Sequence, residues 1–264
     1  MKHSLHTIIA AAALALTACS NIGEDERLLP IETSDFRRNV LIEDFTGQKC
    51  VNCPKATDAI NDIIKAFGED HVIAVAIHSG PFSVKGSKGL ATDFTQQYWD
   101  AWFTNEGQPI AKINRGAATN EYGNWSYDAM KAMLEETDVD IALDTKYDAA
   151  KQTVEVCAIV SGMPDEKAHL QVWLTEDGIV ATQFMPDDQP AKKDYIHNHI
   201  LRDALNGAWG EELTFNVAPL TKVYTYNFSD KGYVPENTHI VAFVYNDNGV
   251  QQVVKQRTVK AAAN

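Results

Sequence analysis

Basic residues are in short supply. Lys and Arg total 23 against 36 Asp and Glu, a formal net charge of −13. Nucleic-acid binding needs a basic face that displaces counterions from phosphates, so this balance excludes it. The letters His197-Asn198-His199, also met in some nucleases, therefore carry no weight. Long apolar runs are missing too: beyond the first nineteen residues nothing is long and apolar enough to span a bilayer. Gly-rich phosphate loops, Ser-His-Asp signatures, internal repeats and low-complexity tracts are absent. Cysteine is rare, with four among 264 residues, so each one must be accounted for. What remains, 45% hydrophobic and 22% charged, is the composition of a soluble globular protein.

Cys19 ends a leader. Lys2 gives a positive start, residues 7–16 are apolar, and Leu16-Thr17-Ala18-Cys19 places small residues before the cysteine. An apolar run this short reads as an export signal over residues 1–18 rather than a permanent span. The four-residue pattern resembles a bacterial lipobox, which implies cleavage before Cys19 and lipidation of its thiol. Acyl chains there would anchor the chain to a membrane without crossing it. The alternative is an ordinary secretory signal that happens to contain a cysteine. Residues 19–30 are polar and acidic and suit a flexible tether. Glu24-Asp25-Glu26 weakly resembles acidic surface-export signals, but a plain solvated tether explains it equally well, so no face of the membrane is assigned.

Cys50-Val51-Asn52-Cys53 lies between a buried-strand pattern (residues 39–45) and an amphipathic helix pattern (residues 54–67). A helix N-terminus offers unpaired N–H groups and partial positive charge, which favour a thiolate. Strand, Cys-x-x-Cys and helix in that order form the thioredoxin-like redox signature. Strand and helix patterns alternate up to residue 137, with strands at 71–78 and 107–115 and helices at 91–103 and 126–136. The aromatic stripe Phe94, Tyr98, Trp99, Trp102, Phe103 reads as core.

From residue 138 short period-two segments take over, among them TVEVCAIV, AHLQVWLTE and THIVAFVYN, with a hairpin signal at Asn246-Asp247-Asn248-Gly249. Only residues 194–208 resemble a helix in this half. The expected fold is therefore an α/β thioredoxin-like domain over 31–137, followed by a separate all-β immunoglobulin- or fibronectin-like sandwich over 138–264. Cys157 sits in the alternating TVEVCAIV, on the face of Glu155 and Ile159, and reads as a small strand residue rather than a reactive thiol.

The resemblance to thioredoxins extends to single residues. It implies Cys50 as the attacking thiol, with Lys49 adding favourable charge, and Cys53 as the resolving thiol. Asp44-Phe45 stand where thioredoxins carry a buried acid, making Asp44 the candidate proton acceptor for Cys53; a loop-capping role is the alternative. Pro109 falls where thioredoxin-like proteins hold a cis proline facing the cysteines. Thr46-Gly47-Gln48-Lys49 and Val51-Asn52 depart from the thioredoxin pattern, which leaves potential and specificity unassigned.

The whole stretch VLIEDFTGQKCVNCPKAT, with the lipobox and the β-rich second half, resembles the outer membrane protein 28-related lipoprotein family of Bacteroidetes. That resemblance implies an outer-membrane lipoprotein and supplies no reaction. Two functions stay in contention. One is thiol–disulfide exchange with protein clients. The other is a non-catalytic binding or adhesion lipoprotein whose Cys50–Cys53 disulfide is structural and whose partner is a surface ligand. Burial of Cys50 would favour the second. No cofactor and no metal are expected: a zinc site needs two further ligands, and the nearest histidine pair, His197 and His199, reads as local packing. His78, at a strand's carboxyl end, reads as structural.

Overall fold

Seven consecutive residues, Val40–Thr46, are buried, as a central strand with both faces covered requires, and they form β1. The segment after the cysteines becomes α1 (Cys53–Phe67), whose buried Ala56, Ile60 and Ile63 recur at helical spacing. β2 (Val72–His78) runs parallel to β1, in register from Val40↔Val72 to Thr46↔His78. α2 (Asp93–Trp102) starts at a reciprocal cap in which the Thr92 hydroxyl accepts from Thr95 N–H and the Thr95 hydroxyl accepts from Thr92 N–H. β3 (Ile110–Ile113) lies antiparallel to β1, with β4 (Ala118–Thr119) beside it, and α3 (Trp125–Met133) closes this half.

The remaining strands are β5 (Asp140–Asp148), β6 (Thr153–Ser161), β7 (Ala168–Glu176), β8 (Ile179–Gln183), β9 (Lys192–His197), β10 (Ile200–Ala204), β11 (Glu211–Leu213), β12 (Leu220–Asn227), β13 (Thr238–Asn246) and β14 (Gly249–Arg257). The computed structural model describes residues 35–162, 167–214 and 219–260. The signal, Cys19 and the tether lie outside the described residues. β13 and β14 meet in the hairpin expected from Asn246–Gly249, with those two residues paired. Cys157 is a free thiol, half-buried on β6, while Val154, Val156 and Ala158 of the opposite face are buried. Among the described residues no helix is long and apolar enough to cross a membrane.

The expected fold class, a thioredoxin-like α/β domain followed by an all-β sandwich, is overturned. The described chain is dominated by strand, and nine strands form one sheet in the order β14-β13-β7-β10-β2-β1-β3-β4, with β11 also on β7. The join is β10, antiparallel to β7 and parallel to β2 through Ile200↔Ala76. Residues 194–208, helix-like in sequence, supply this strand. The core crosses the join as well: Leu41, Phe45, Ile73 and Ile77 pack in one cluster with Trp173, Leu201, Val241 and Phe243, under α2. Among the described residues there is thus no thioredoxin-like α/β domain with a closed core of its own. Nor is there a free-standing sandwich, since β5, β6 and β12 form a three-stranded sheet that covers one face of β7 and β13.

Alternation along β1 sends neighbours to opposite faces. Val40 and Ile42 pack with α1 and α3, whereas Leu41 and Phe45 pack toward α2. On the α2 side Glu43 is fully buried and ion-paired to Arg115, Oε1 to Nε 3.2 Å. The guanidinium lies 3.9 Å from the Tyr245 ring centroid and 4.8 Å from that of Phe243. Burial pushes the Glu43 carboxyl up, with Arg115 and then Lys112 opposing. On the α1 side of the same strand lies Asp44.

Candidate functional site

Cys50 and Cys53 are disulfide-bonded across a turn between β1 and α1. Cys53 is the first helical residue, with Pro54 in the first turn, where a missing N–H costs little. Cys50 precedes the helix, its N–H donating to Gly47 C=O at 3.0 Å. Asn52 is the N-cap residue but makes no side-chain cap bond; the first-turn donors go to main-chain carbonyls instead, Cys53 N–H to Cys50 C=O at 3.4 Å and Lys55 N–H to Asn52 C=O at 3.0 Å. The sequence placed Cys50 at the helix start facing solvent. Here it is buried, 3% exposed, with Cys53 at 1%.

Two segments cover it. The loop after β2 approaches from one side, where Ser79 N–H donates to Thr46 C=O and Lys49 N–H to Phe82 C=O at 2.8 Å. Gly47 permits that approach, because a Cβ there would run into the Phe82 carbonyl. From the other side comes the β8–β9 ribbon. Gln183 Nε2 donates to the Cys50 carbonyl at 2.9 Å, and Phe184 N–H donates to the Gln48 carbonyl at 2.8 Å. Gln48 Nε2 returns a bond to Thr182 C=O at 3.1 Å, and Lys55 pairs with Asp187 at 3.1 Å. Around this cover Val51, Phe82 and Phe184 stay 40–46% exposed, and Val51 and Phe184 line a groove of about 430 Å³.

Beside Cys53 is a second, smaller cavity of about 30 Å³. It is lined by Asp44, Cys53, Thr57, His78, Tyr195 and His197, among others. Strand parity explains the first members: Asp44 and His78 lie on the same face of β1 and β2, because Thr46 registers with His78 and Asp44 with Ala76. On β9, alternation turns His197 inward and leaves Ile196 58% exposed. The His78 and His197 rings meet edge to face, centroids 5.3 Å apart. Three polar atoms here have no hydrogen-bond partner: Asp44 Oδ1, His78 Nδ1 and His197 Nε2. Burial raises the Asp44 carboxyl to about 7. Burial likewise drives His78 well below the usual imidazole range, helped by His197 and Arg202, and brings His197 down to about 4.

Of the residues expected from sequence, Asp44, Cys50 and Cys53 therefore come together. The Gln108–Pro109 peptide is cis and buried, just before β3, with Gln108 bonded to Ser79 C=O and Phe82 N–H. Lys49 is exposed to solvent. His197 and His199 do not act as a pair. β9 ends at His197, and His199, at φ 59°, turns to Asp177 at 3.3 Å. Sequence reasoning read His78 as structural and His197 as local packing, and passed over Tyr195 and Gln183. The parity shared by Asp44 and His78 was the one signal available. Among the described residues no three His, Cys, Asp or Glu side chains are grouped to hold a metal ion.

No curated protein matches the chain in sequence. Solved structures similar in fold include the following two. HBP35 of Porphyromonas gingivalis aligns with a TM-score of 0.64 at 16% identity, over 87% of this chain and 80% of that one. A protein of Agrobacterium tumefaciens aligns with a TM-score of 0.53 at 17% identity, over 85% and 96%. At such identities the likeness speaks for the fold alone. Residues 95–261 match the family described as outer membrane protein Omp28, a stretch that holds Pro109, the β8–β9 ribbon and His197 but begins after the cysteines. On that match, which spans more than half its length, the chain belongs to the outer membrane protein Omp28 family.

Proposed function

We propose that Cys50–Cys53 is a redox-active disulfide that exchanges with the thiols of protein clients, on an outer-membrane protein anchored by lipid on Cys19. One observation carries the redox reading: the Asp44 carboxyl, buried beside Cys53 with Oδ1 unpartnered. Leaving a buried polar atom unsatisfied costs on the order of 1–3 kcal/mol. A purely structural disulfide has no use for that cost, whereas the departing Cys53 thiolate needs a proton. A client thiolate attacks Cys50 Sγ, the S–S bond breaks, and its electron pair leaves on Cys53, which takes the Asp44 proton. The apolar rim of Val51, Phe82 and Phe184 suits a polypeptide client. The Gln183 contact must open to admit it.

The second reading, a structural disulfide on a binding lipoprotein, draws on the 3% exposure of Cys50. Insulin-disulfide reduction separates the two. The wild type should turn over and Cys50→Ser should not; equal rates end the redox reading. A potential below about −300 mV for the pair would also favour a structural bond. For the anchor, Cys19→Ser should abolish labelling by a fatty-acid probe, and undiminished labelling would remove Cys19 as the attachment point.

A further inference from the structure

We infer that His78 and His197 are positioning residues that pass protons between solvent and Asp44 each time the Cys50–Cys53 bond opens or closes. The inference rests on the redox reading above and concerns a step that reading leaves incomplete. Once Asp44 has given its proton to the Cys53 thiolate, it is a buried carboxylate that must be refilled. It is 3% exposed, and the two imidazoles that share its cavity stand between it and the solvent side of β9.

The geometry offers one lined route. Asp44 Oδ1, His78 Nδ1 and His197 Nε2 are the three unpartnered polar atoms around the cavity of about 30 Å³, room for roughly one or two water molecules. His78, 1% exposed on β2, lies against His197, 5% exposed on β9, and Tyr195 and Asn198 complete the wall on that side. A histidine serving only to fill space would pair both ring nitrogens or give way to an apolar ring. Two of them, each with an orphan nitrogen in the same small cavity, are a costly way to pack.

The charges facing the pair are few. β1 contributes Asp44; α1 contributes Cys53 and, toward Tyr195, Asp58. β10 contributes Arg202, whose charge Glu176 answers at 3.2 Å. Burial keeps both imidazoles neutral near pH 7. His197 donates its other ring N–H to the Ala181 carbonyl, so it takes up and returns a proton at Nε2 alone, while His78 accepts at one nitrogen and releases at the other. The relay therefore never has to hold a lasting positive charge under the sheet.

The test follows reduction of the protein's own disulfide by dithiothreitol from pH 5 to 9, with acid quench and maleimide labelling. Dithiothreitol supplies both electrons and is itself oxidised to the cyclic disulfide. His78→Gln and His197→Gln should each slow reduction on the order of tenfold, short of the full contribution of a general acid, and should displace the midpoint of the pH profile. The double variant should be no slower than the worse single one, as for residues in series. Wild-type rate and midpoint in a folded double variant would overturn the inference. Should the variants not fold, the wild type decides alone: a normal solvent deuterium isotope effect supports the relay, and its absence overturns it. Failure on insulin with these effects intact would remove the client reaction only, so the two failures are distinguishable.

Discussion

Glu43 and Asp44 are neighbours on one strand, both buried, both carboxyls pushed upward by burial, and they are treated in opposite ways. Glu43, on the α2 side, has a cation at 3.2 Å and an aromatic surround for that cation. Asp44, on the α1 side, has no cation and lines a cavity, while each carboxyl keeps one oxygen unpartnered, Oε2 of Glu43 and Oδ1 of Asp44. A paired buried charge ties elements together: Arg115 follows β3, and the rings it lies against belong to β13. An unpaired buried acid ties nothing and makes a proton available near neutral pH. Two faces of the same peptide thus divide into a paired acid and, on the reading proposed above, a chemical one.

The largest effect should come from breaking the structural side. Glu43→Gln leaves Arg115 buried and uncompensated, which costs about 3–5 kcal/mol. Thermal unfolding at pH 7 should fall by about 10 °C, since 1 kcal/mol moves Tm by about 2–4 °C in a chain of this size. No loss would mean that the pair is solvated and the contrast false.

Asp44→Asn should do the reverse, and only at higher pH. The folded carboxyl titrates at about 7, and the unfolded one at about 4. Below pH 4 both states are protonated and Asp44 contributes nothing. Between 4 and 7 the unfolded chain releases its proton while the folded one keeps it, so the wild type loses stability as pH rises and levels off above 7. Asn cannot ionise and escapes that loss. The variant should gain up to about 4 kcal/mol over the wild type at pH 8, from the three-unit difference in titration, and nothing at pH 4. Denaturant unfolding at both pH values reads this directly. A loss of stability at pH 8 would show that ionised Asp44 has a partner.

These two residues also measure how far the sequence could be read. The strand over 39–45, the helix after the cysteines and the hairpin at Asn246–Gly249 were legible because each rests on local periodicity or turn chemistry. Asp44 was legible through its distance from Cys50. The partners were not. His78 shares a face with Asp44 by parity, but His197 reaches the cavity only because β10 joins the two halves through a single pairing, Ile200↔Ala76. That pairing is long-range and β10 has only five residues, too few for a period to show. The same join erased the domain boundary that the change of pattern near residue 138 suggested. Arg115 was hidden likewise, since its partner sits on β1 and its rings come from the other half.

The smallest effect should sharpen the comparison at the disulfide itself, where the chemical site is closed by a contact that resembles the structural ones. Gln183 Nε2 donates to the Cys50 carbonyl at 2.9 Å and the Gly47 carbonyl at 3.3 Å, besides the adjacent Phe184 carbonyl at 3.0 Å, and the ribbon carrying it has two strands. Truncating it in Gln183→Ala removes bonds worth about 1 kcal/mol each, and the ribbon keeps its main-chain bond from Phe184 to Gln48. Global stability should then change by no more than about 2 kcal/mol, because the core clusters are untouched. Local opening responds differently, since a segment held by few bonds opens at a free energy set by those bonds. A loss of about 1 kcal/mol there raises the open population roughly fivefold. Reduction of Cys50–Cys53 by dithiothreitol should therefore accelerate several-fold while unfolding barely moves. If the two shift together, the disulfide becomes accessible only when the whole chain unfolds, and Asp44 joins Glu43 as part of the scaffold.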